Sequence, residues 1–226
     1  MFRIHGVLFS VLCSFLALPA SFLCAAEENA ATGTTATSTL DAITADIGDI
    51  IEKGAAMGSG DAESIIERID RNWEAFADIY GRDPWHQGIE IDSAMKAAAG
   101  MLAQAKTDME KKDVGGAAET YAGAVPLLET LILEFNKPVL ADFTGAQCKI
   151  CKIMKARLAK IDEEYSDRVR IILVNVNTQK ELTKQYQIML IPTLVFIDRG
   201  GKEMHRNVGE MEEKAVKTKL DELLNK

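Results

Sequence analysis

Residues 138–151 read Pro138-Val139-Leu140-Ala141-Asp142-Phe143-Thr144-Gly145-Ala146-Gln147-Cys148-Lys149-Ile150-Cys151, and this stretch decides the fold. A short apolar run, Pro138 to Phe143, reads as a strand. A glycine follows, and then two cysteines three apart at the start of a helical stretch, Lys149 to Tyr165. Cysteines so spaced on a first helical turn lie side by side. They can close a disulfide and reopen it with little backbone movement, as thiol–disulfide exchange requires. Three readings are open at this point: redox chemistry, a metal site, or filled space.

Outward to the C-terminus, Val169–Val176 is an apolar strand of the fully buried kind. Gln179–Tyr186 reads as a short helix and Thr193–Ile197 as a strand. Asp198-Arg199-Gly200-Gly201 turns the chain into a strand over Glu203–Val208, and a helix over Glu210–Leu224 closes it. The order is β-α-β-α-β-β-α, which predicts an α/β sheet covered by helices on both faces.

Outward to the N-terminus, residues 40–136 predict an all-α bundle or stacked hairpins. The segments are Asp41–Ala55, Asp61–Tyr80, Ile89–Lys112 and Asp113–Phe135, with apolar residues at helical spacing. Pro126 should kink or restart the last one. Trp73, Phe76 and Tyr80 fall in the bundle core. His86 reads as a loop residue and His205 as a strand surface residue. Residues 27–39 are small and polar and read as a flexible tether.

Residues 1–26 read as an export signal: Arg3 and His5, an uncharged run from Gly6 to Ala26, Pro19, and Cys24-Ala25-Ala26 before Glu27. Cleavage there leaves Cys148 and Cys151 as the one possible pair, which suits an oxidising compartment. The expected location is periplasmic or otherwise exported. The alternative is an uncleaved inner-membrane anchor facing the periplasm. The chain of 226 residues carries a formal charge of −8 and no basic tract. That disfavours nucleic acid as a partner.

The C-terminal 90 or so residues, 137–226, resemble the thioredoxin family. Three landmarks carry the likeness: Cys148-x-x-Cys151 followed by Lys152, Asp142 six residues before Cys148, and Ile191-Pro192-Thr193 opening a strand. Gly209 also falls where the family has a glycine. The resemblance implies a buried Asp142 behind the cysteine pair and a cis Pro192 facing it. The helical half, 40–136, shows no such likeness beyond one hairpin faintly similar to a tetratricopeptide unit.

Position then assigns expected roles. Cys148, at a helix N-terminus and ahead of Lys149, Lys152, Lys155, Arg157 and Lys160, is the low-pKa nucleophile. Cys151 resolves the mixed disulfide, with Asp142 as its base. Pro192 keeps a free backbone edge at Ile191 for an extended substrate. Leu190, Gln147, Lys149 and Ile150 complete the expected substrate-binding set. Met189-Leu190-Ile191 would form an apolar lip. The departures from the family are Gln147 in place of Trp, Lys149-Ile150 in place of Gly-Pro, Thr144 in place of an aromatic, and Leu173 where many members carry a buried lysine.

The expected function is exported thiol–disulfide exchange on protein substrates, with no cofactor beyond the Cys148–Cys151 pair and no metal. A membrane electron donor is an implied partner. The helical half is left for partner binding or self-association. The rivals are a non-catalytic adaptor of the same fold and, more remotely, a C-x-x-C metal site using His86 and His205.

Overall fold

Isoleucine, leucine and alanine at every third or fourth position make the N-terminal helices. The structure, a computed structural model, describes residues 35–53, 56–57 and 59–225. Helix α1 spans Ala36–Lys53, α2 Ser59–Arg82, α3 Ile89–Glu110 and α4 Val114–Phe135. Their inward stripes, such as Leu40, Ile43, Ile47 and Ile50 on α1 and Tyr121, Ala124, Leu128 and Leu131 on α4, form one apolar core. Helix α1 packs on α2 and α4, and α3 packs on α4. Polar ties cross the outer seams: Arg68 to Asp46 at 2.6 Å, Lys106 to Asp70 at 2.6 Å, and the Tyr80 hydroxyl to Asp92.

Two expectations about this half are corrected. Ala36–Thr39, expected within the tether, are helical. Thr35 caps the helix: its hydroxyl accepts from the Ser38 N–H at 3.1 Å, and Ser38 Oγ accepts from the Thr35 N–H at 2.9 Å. Pro126 does not restart its helix; α4 runs unbroken through it. The carbonyl that loses its i+4 donor belongs to Ala122, and both residues face solvent, where water can serve instead. The export signal and residues 27–34 lie outside the described residues. No described helix is long and apolar enough to cross a membrane.

The C-terminal elements follow the expected order: β1 Val139–Thr144, α5 Lys149–Tyr165, β2 Arg170–Asn175, α6 Lys180–Gln185, β3 Thr193–Ile197, β4 Glu203–Val208 and α7 Glu213–Leu224. The sheet order is β2-β1-β3-β4, with β1 parallel to β2 and antiparallel to β3. On one face, Leu140, Leu194 and Phe196 pack under Met154, Leu158 and Ile161 of α5 and Val216, Leu220 and Leu223 of α7. The other face, with Val139, Ala141, Phe143, Val195 and Ile197, is covered by Leu182, Tyr186 and Ile188.

A third correction concerns β2. Its apolar sequence suggested a fully buried strand, but it is an edge strand with only Val174 buried. Pairing on one side alone leaves Leu173 39% exposed.

Trp85, from the loop between α2 and α3, is 5% exposed and joins the second sheet core, edge-on to Tyr186 at 5.2 Å. Arg170, at the start of β2, donates to the carbonyls of Trp85 (2.8 Å) and Gln87 (2.9 Å) and to Glu134 (3.3 Å). His86 is in the expected loop but is buried. It bonds Asp83 at 2.6 Å, meets the Lys137 carbonyl at 3.3 Å and stacks on Phe135. Residues 35–226 accordingly form one compact unit.

Candidate functional site

Strand β1 ends at Thr144, and four residues later α5 begins at Lys149. Cys148 is the N-cap of α5, with φ −81° and ψ 117°. Its Sγ accepts from the Cys151 N–H at 3.1 Å, taking up one of the free donors that every helix start leaves. The two cysteines are joined, with Cα atoms 5.2 Å apart. Cys148 is half-buried, whereas Cys151 is 1% exposed. One sulfur therefore meets solvent and the other lies beneath it. A thiolate at Cys148 would be held by the helix N-terminus.

Ile191–Pro192 is a cis peptide bond, and the Ile191 carbonyl oxygen lies 4.0 Å from Cys148 Sγ. The loop carrying it is fixed from two sides. Thr193 Oγ1 donates to the Leu190 carbonyl at 2.7 Å, and the Gly209 N–H donates to the Pro192 carbonyl at 2.8 Å. Gly209 has φ +94°, which glycine adopts without strain.

Asp142 sits mid-β1, opposite Leu194 of β3 and Leu173 of β2, on the sheet face that α5 covers. It is fully buried, and neither carboxyl oxygen has a hydrogen-bond partner among the described residues. Burial pushes its pKa up to about 7. The absence of a lysine at Leu173 leaves that burial uncompensated.

Gln147, Lys149 and Ile150 are exposed beside Cys148, and Ile191 is half-buried. Met189 and Leu190 are 89% and 66% exposed, so the apolar lip stands in solvent. The nine expected site residues thus fall into three strata: Asp142, Pro192 and Cys151 below, Cys148 and Ile191 at the surface, and Leu190, Gln147, Lys149 and Ile150 around them. His86 and His205 do not join them. The first is held by Asp83, and the second lies against Phe196 on β4.

The sequence assigns no role to Gly145, and it counts Arg157 among the cations ahead of Cys148 although Glu210 engages that guanidinium. A Cβ on Gly145 would come within 2.8 Å of Ile191 Cδ1, so a larger residue here would displace the Ile191 side chain. The glycine's signal was its place between strand and cysteine. Arg157 donates to the Met211 carbonyl and, at 2.8 Å, to Glu210, bracing the segment that follows Gly209. No sequence pattern marks that contact, which links residues 53 and 54 positions apart.

The pKa of Asp142 has a measurable consequence for stability. The folded chain holds this proton up to about pH 7, whereas an unfolded aspartate releases it near 3.8. Between those values the folded state binds more protons, so stability falls as pH rises from 4 to 7 and then levels. Three pH units correspond to roughly 4 kcal/mol. Asp142→Asn should flatten this slope and leave the variant about 2–4 kcal/mol more stable than the wild type at pH 8. Urea unfolding at pH 5 and pH 8 checks it; parallel slopes for both proteins would refute the assignment.

A family model described as Thioredoxin matches residues 127–222. The match begins inside α4, ten residues before the boundary expected at Lys137. Thioredoxin of Alicyclobacillus acidocaldarius is 33% identical over 92 residues, covering 41% of this chain and 87% of that protein. Thioredoxin-T of Drosophila melanogaster is 38% identical over 89 residues, which is 39% of this chain but only 56% of that protein. Among solved structures, thioredoxin NaTrxh of Nicotiana alata is 24% identical, with a TM-score of 0.36, covering 39% of this chain and 74% of its own.

Proposed function

The chain belongs to the thioredoxin family of thiol–disulfide oxidoreductases, and on that footing we propose that it is an exported enzyme that reduces or exchanges disulfides in protein substrates. The observation that carries the reading is the stacking of the pair at the helix start, Cys148 half-buried and Cys151 buried, together with a buried, unpartnered Asp142 on β1.

In the reduced enzyme the Cys148 thiolate attacks one sulfur of a substrate disulfide. A Cys148–substrate bond forms, the substrate S–S bond breaks, and the released sulfur takes a proton. Cys151 then gives its proton to Asp142 and attacks Cys148 Sγ. The substrate's second sulfur leaves as a thiol, and Cys148–Cys151 is oxidised by two electrons. A carboxyl with a pKa near 7 can accept and return that proton near neutral pH. Ile191 offers backbone groups to an extended substrate, with Leu190, Gln147, Lys149 and Ile150 around it. A dithiol donor at the membrane restores the pair, and residues 1–26 direct export. No metal or cofactor takes part.

Equilibration of the Cys148/Cys151 couple against glutathione buffers tests the direction. A potential near about −270 mV supports a reductant, and one near about −120 mV an oxidant. A pair that fails to exchange with any buffer leaves the adaptor reading in its place.

A further inference from the structure

Charge is divided unevenly along this chain. Residues 1–136 hold 9 basic and 21 acidic side chains, whereas residues 137–226 hold 17 basic and 13 acidic. The excess of positive charge in the second half is concentrated beside the dithiol. Lys149, Lys152, Lys155 and Lys160 all stand on the exposed side of α5. None of them has a carboxylate within ion-pair distance among the described residues. Three other lysines of the same half are engaged, Lys217 with Glu164 and Glu213, Lys219 with Glu222, and Lys137 with Glu134, whereas Lys180, Lys184, Lys202 and Lys214 are unpaired among the described residues but lie scattered outside α5. Arg157, on the same helix, is taken up by Glu210. The four free ammonium groups of α5 begin at Cys148 and continue along the helix for about 17 Å. Ile150 and Ile153, 45% and 50% exposed, are set among them, and Leu190 and Met189 are exposed in the Pro192 loop, whose Ile191 carbonyl lies 4.0 Å from Cys148 Sγ.

From this charge complementarity we infer that the preferred substrate of the dithiol is an acidic protein segment. It carries Asp or Glu within about five residues of its reactive cysteine, since five extended residues span the length of the lysine row. Free lysines beside the reactive sulfur steer acidic partners towards it and repel basic ones, and such steering changes association rates by about 10–10³-fold at low salt. An apolar residue near the partner's cysteine would meet Ile150 and Leu190. A protein segment suits this surface better than an anionic bilayer, because the row ends at a sulfur whose reaction requires a disulfide. The inference rests on the oxidoreductase reading and specifies its substrate.

The test uses the DTT-reduced full chain, freed of reductant, and three disulfide-linked peptide dimers. These differ only in Glu, Gln or Lys at the positions flanking cysteine. Each rate is divided by the rate at which dithiothreitol reduces the same peptide, which removes intrinsic thiol reactivity. At low ionic strength the Glu peptide should react about tenfold faster than the Lys peptide, and the ratio should shrink towards one in 0.5 M salt. The triple variant Lys152→Glu, Lys155→Glu, Lys160→Glu should reverse the order. Equal rates for the Glu, Gln and Lys peptides at low salt overturn the inference and leave the oxidoreductase reading standing. So does a preference that the triple variant retains, or lysine-dependent binding to phosphatidylserine vesicles without any peptide preference. Failure to reduce all three peptides overturns the oxidoreductase reading itself.

Discussion

Cys148→Ser removes disulfide reduction, by on the order of 10³-fold or more, while leaving the chain folded. A serine hydroxyl at the start of α5 is not ionised at neutral pH, so no nucleophile remains at the half-buried position, and loss of a lone nucleophile is among the largest single-residue effects in enzymes. The fold tolerates the change for two reasons. The disulfide closes a loop of sequence separation 3, too short to stabilise much through chain entropy. Serine also serves well as an N-cap and can accept from the Cys151 N–H as sulfur does. Cys151→Ser should behave differently, making the first bond and then holding the substrate as a mixed disulfide. Insulin reduction with each variant, read by turbidity and by intact mass, separates these outcomes. Turnover by Cys148→Ser within tenfold of the wild type would refute the assignment of the nucleophile.

Trp85→Ala should destabilise residues 35–226 by about 3–5 kcal/mol, the usual cost of truncating a buried large aromatic. The indole is 5% exposed, lies within the core that backs β1 and β3, and meets Tyr186 edge-on. Its removal opens a cavity behind the strand that carries Asp142. It also loosens the loop whose carbonyls bind Arg170. The loss should lower the melting temperature by roughly 6–20 °C. Helix content and dithiol activity should disappear in the same transition, because the bundle and the sheet share this contact. Thermal unfolding followed by circular dichroism and by residual insulin reduction checks both points. A loss under 1 kcal/mol, or two separated transitions, would contradict the interlock.

Local pattern made the C-terminal fold legible. The run from Pro138 to Phe143, the cysteines on a helix start and Ile191-Pro192-Thr193 each report their structure within a few residues, and the seven elements followed in order. The burial of Asp142 came from the family resemblance rather than from local pattern, and the structure bears it out. The status of β2 was not legible. VRIILVNV has the composition of a central strand, and which strand is an edge depends on pairing that no window of sequence contains. The start of α1 was obscured because Thr35 to Thr39 are small and polar, and only the reciprocal Thr35–Ser38 cap gives them helical order. His86 lies in the loop expected for it, but its burial was not legible because its partners Lys137 and Phe135 lie about fifty positions away. Contacts between the two halves share that difficulty. They join side chains through space, with no periodicity to betray them.

The place of Trp85 also bears on how the chain comes to be made. Synthesis delivers the α2–α3 loop more than fifty residues before β1, so the indole lacks the strands it packs on until β1 and β3 follow. An interrupted chain that ends near Asn136 would keep that ring in water, a recognisable mark of incompletion for chaperones and proteases. A finished chain conceals the mark only when its sheet, and with it the strand beneath the dithiol, is in place.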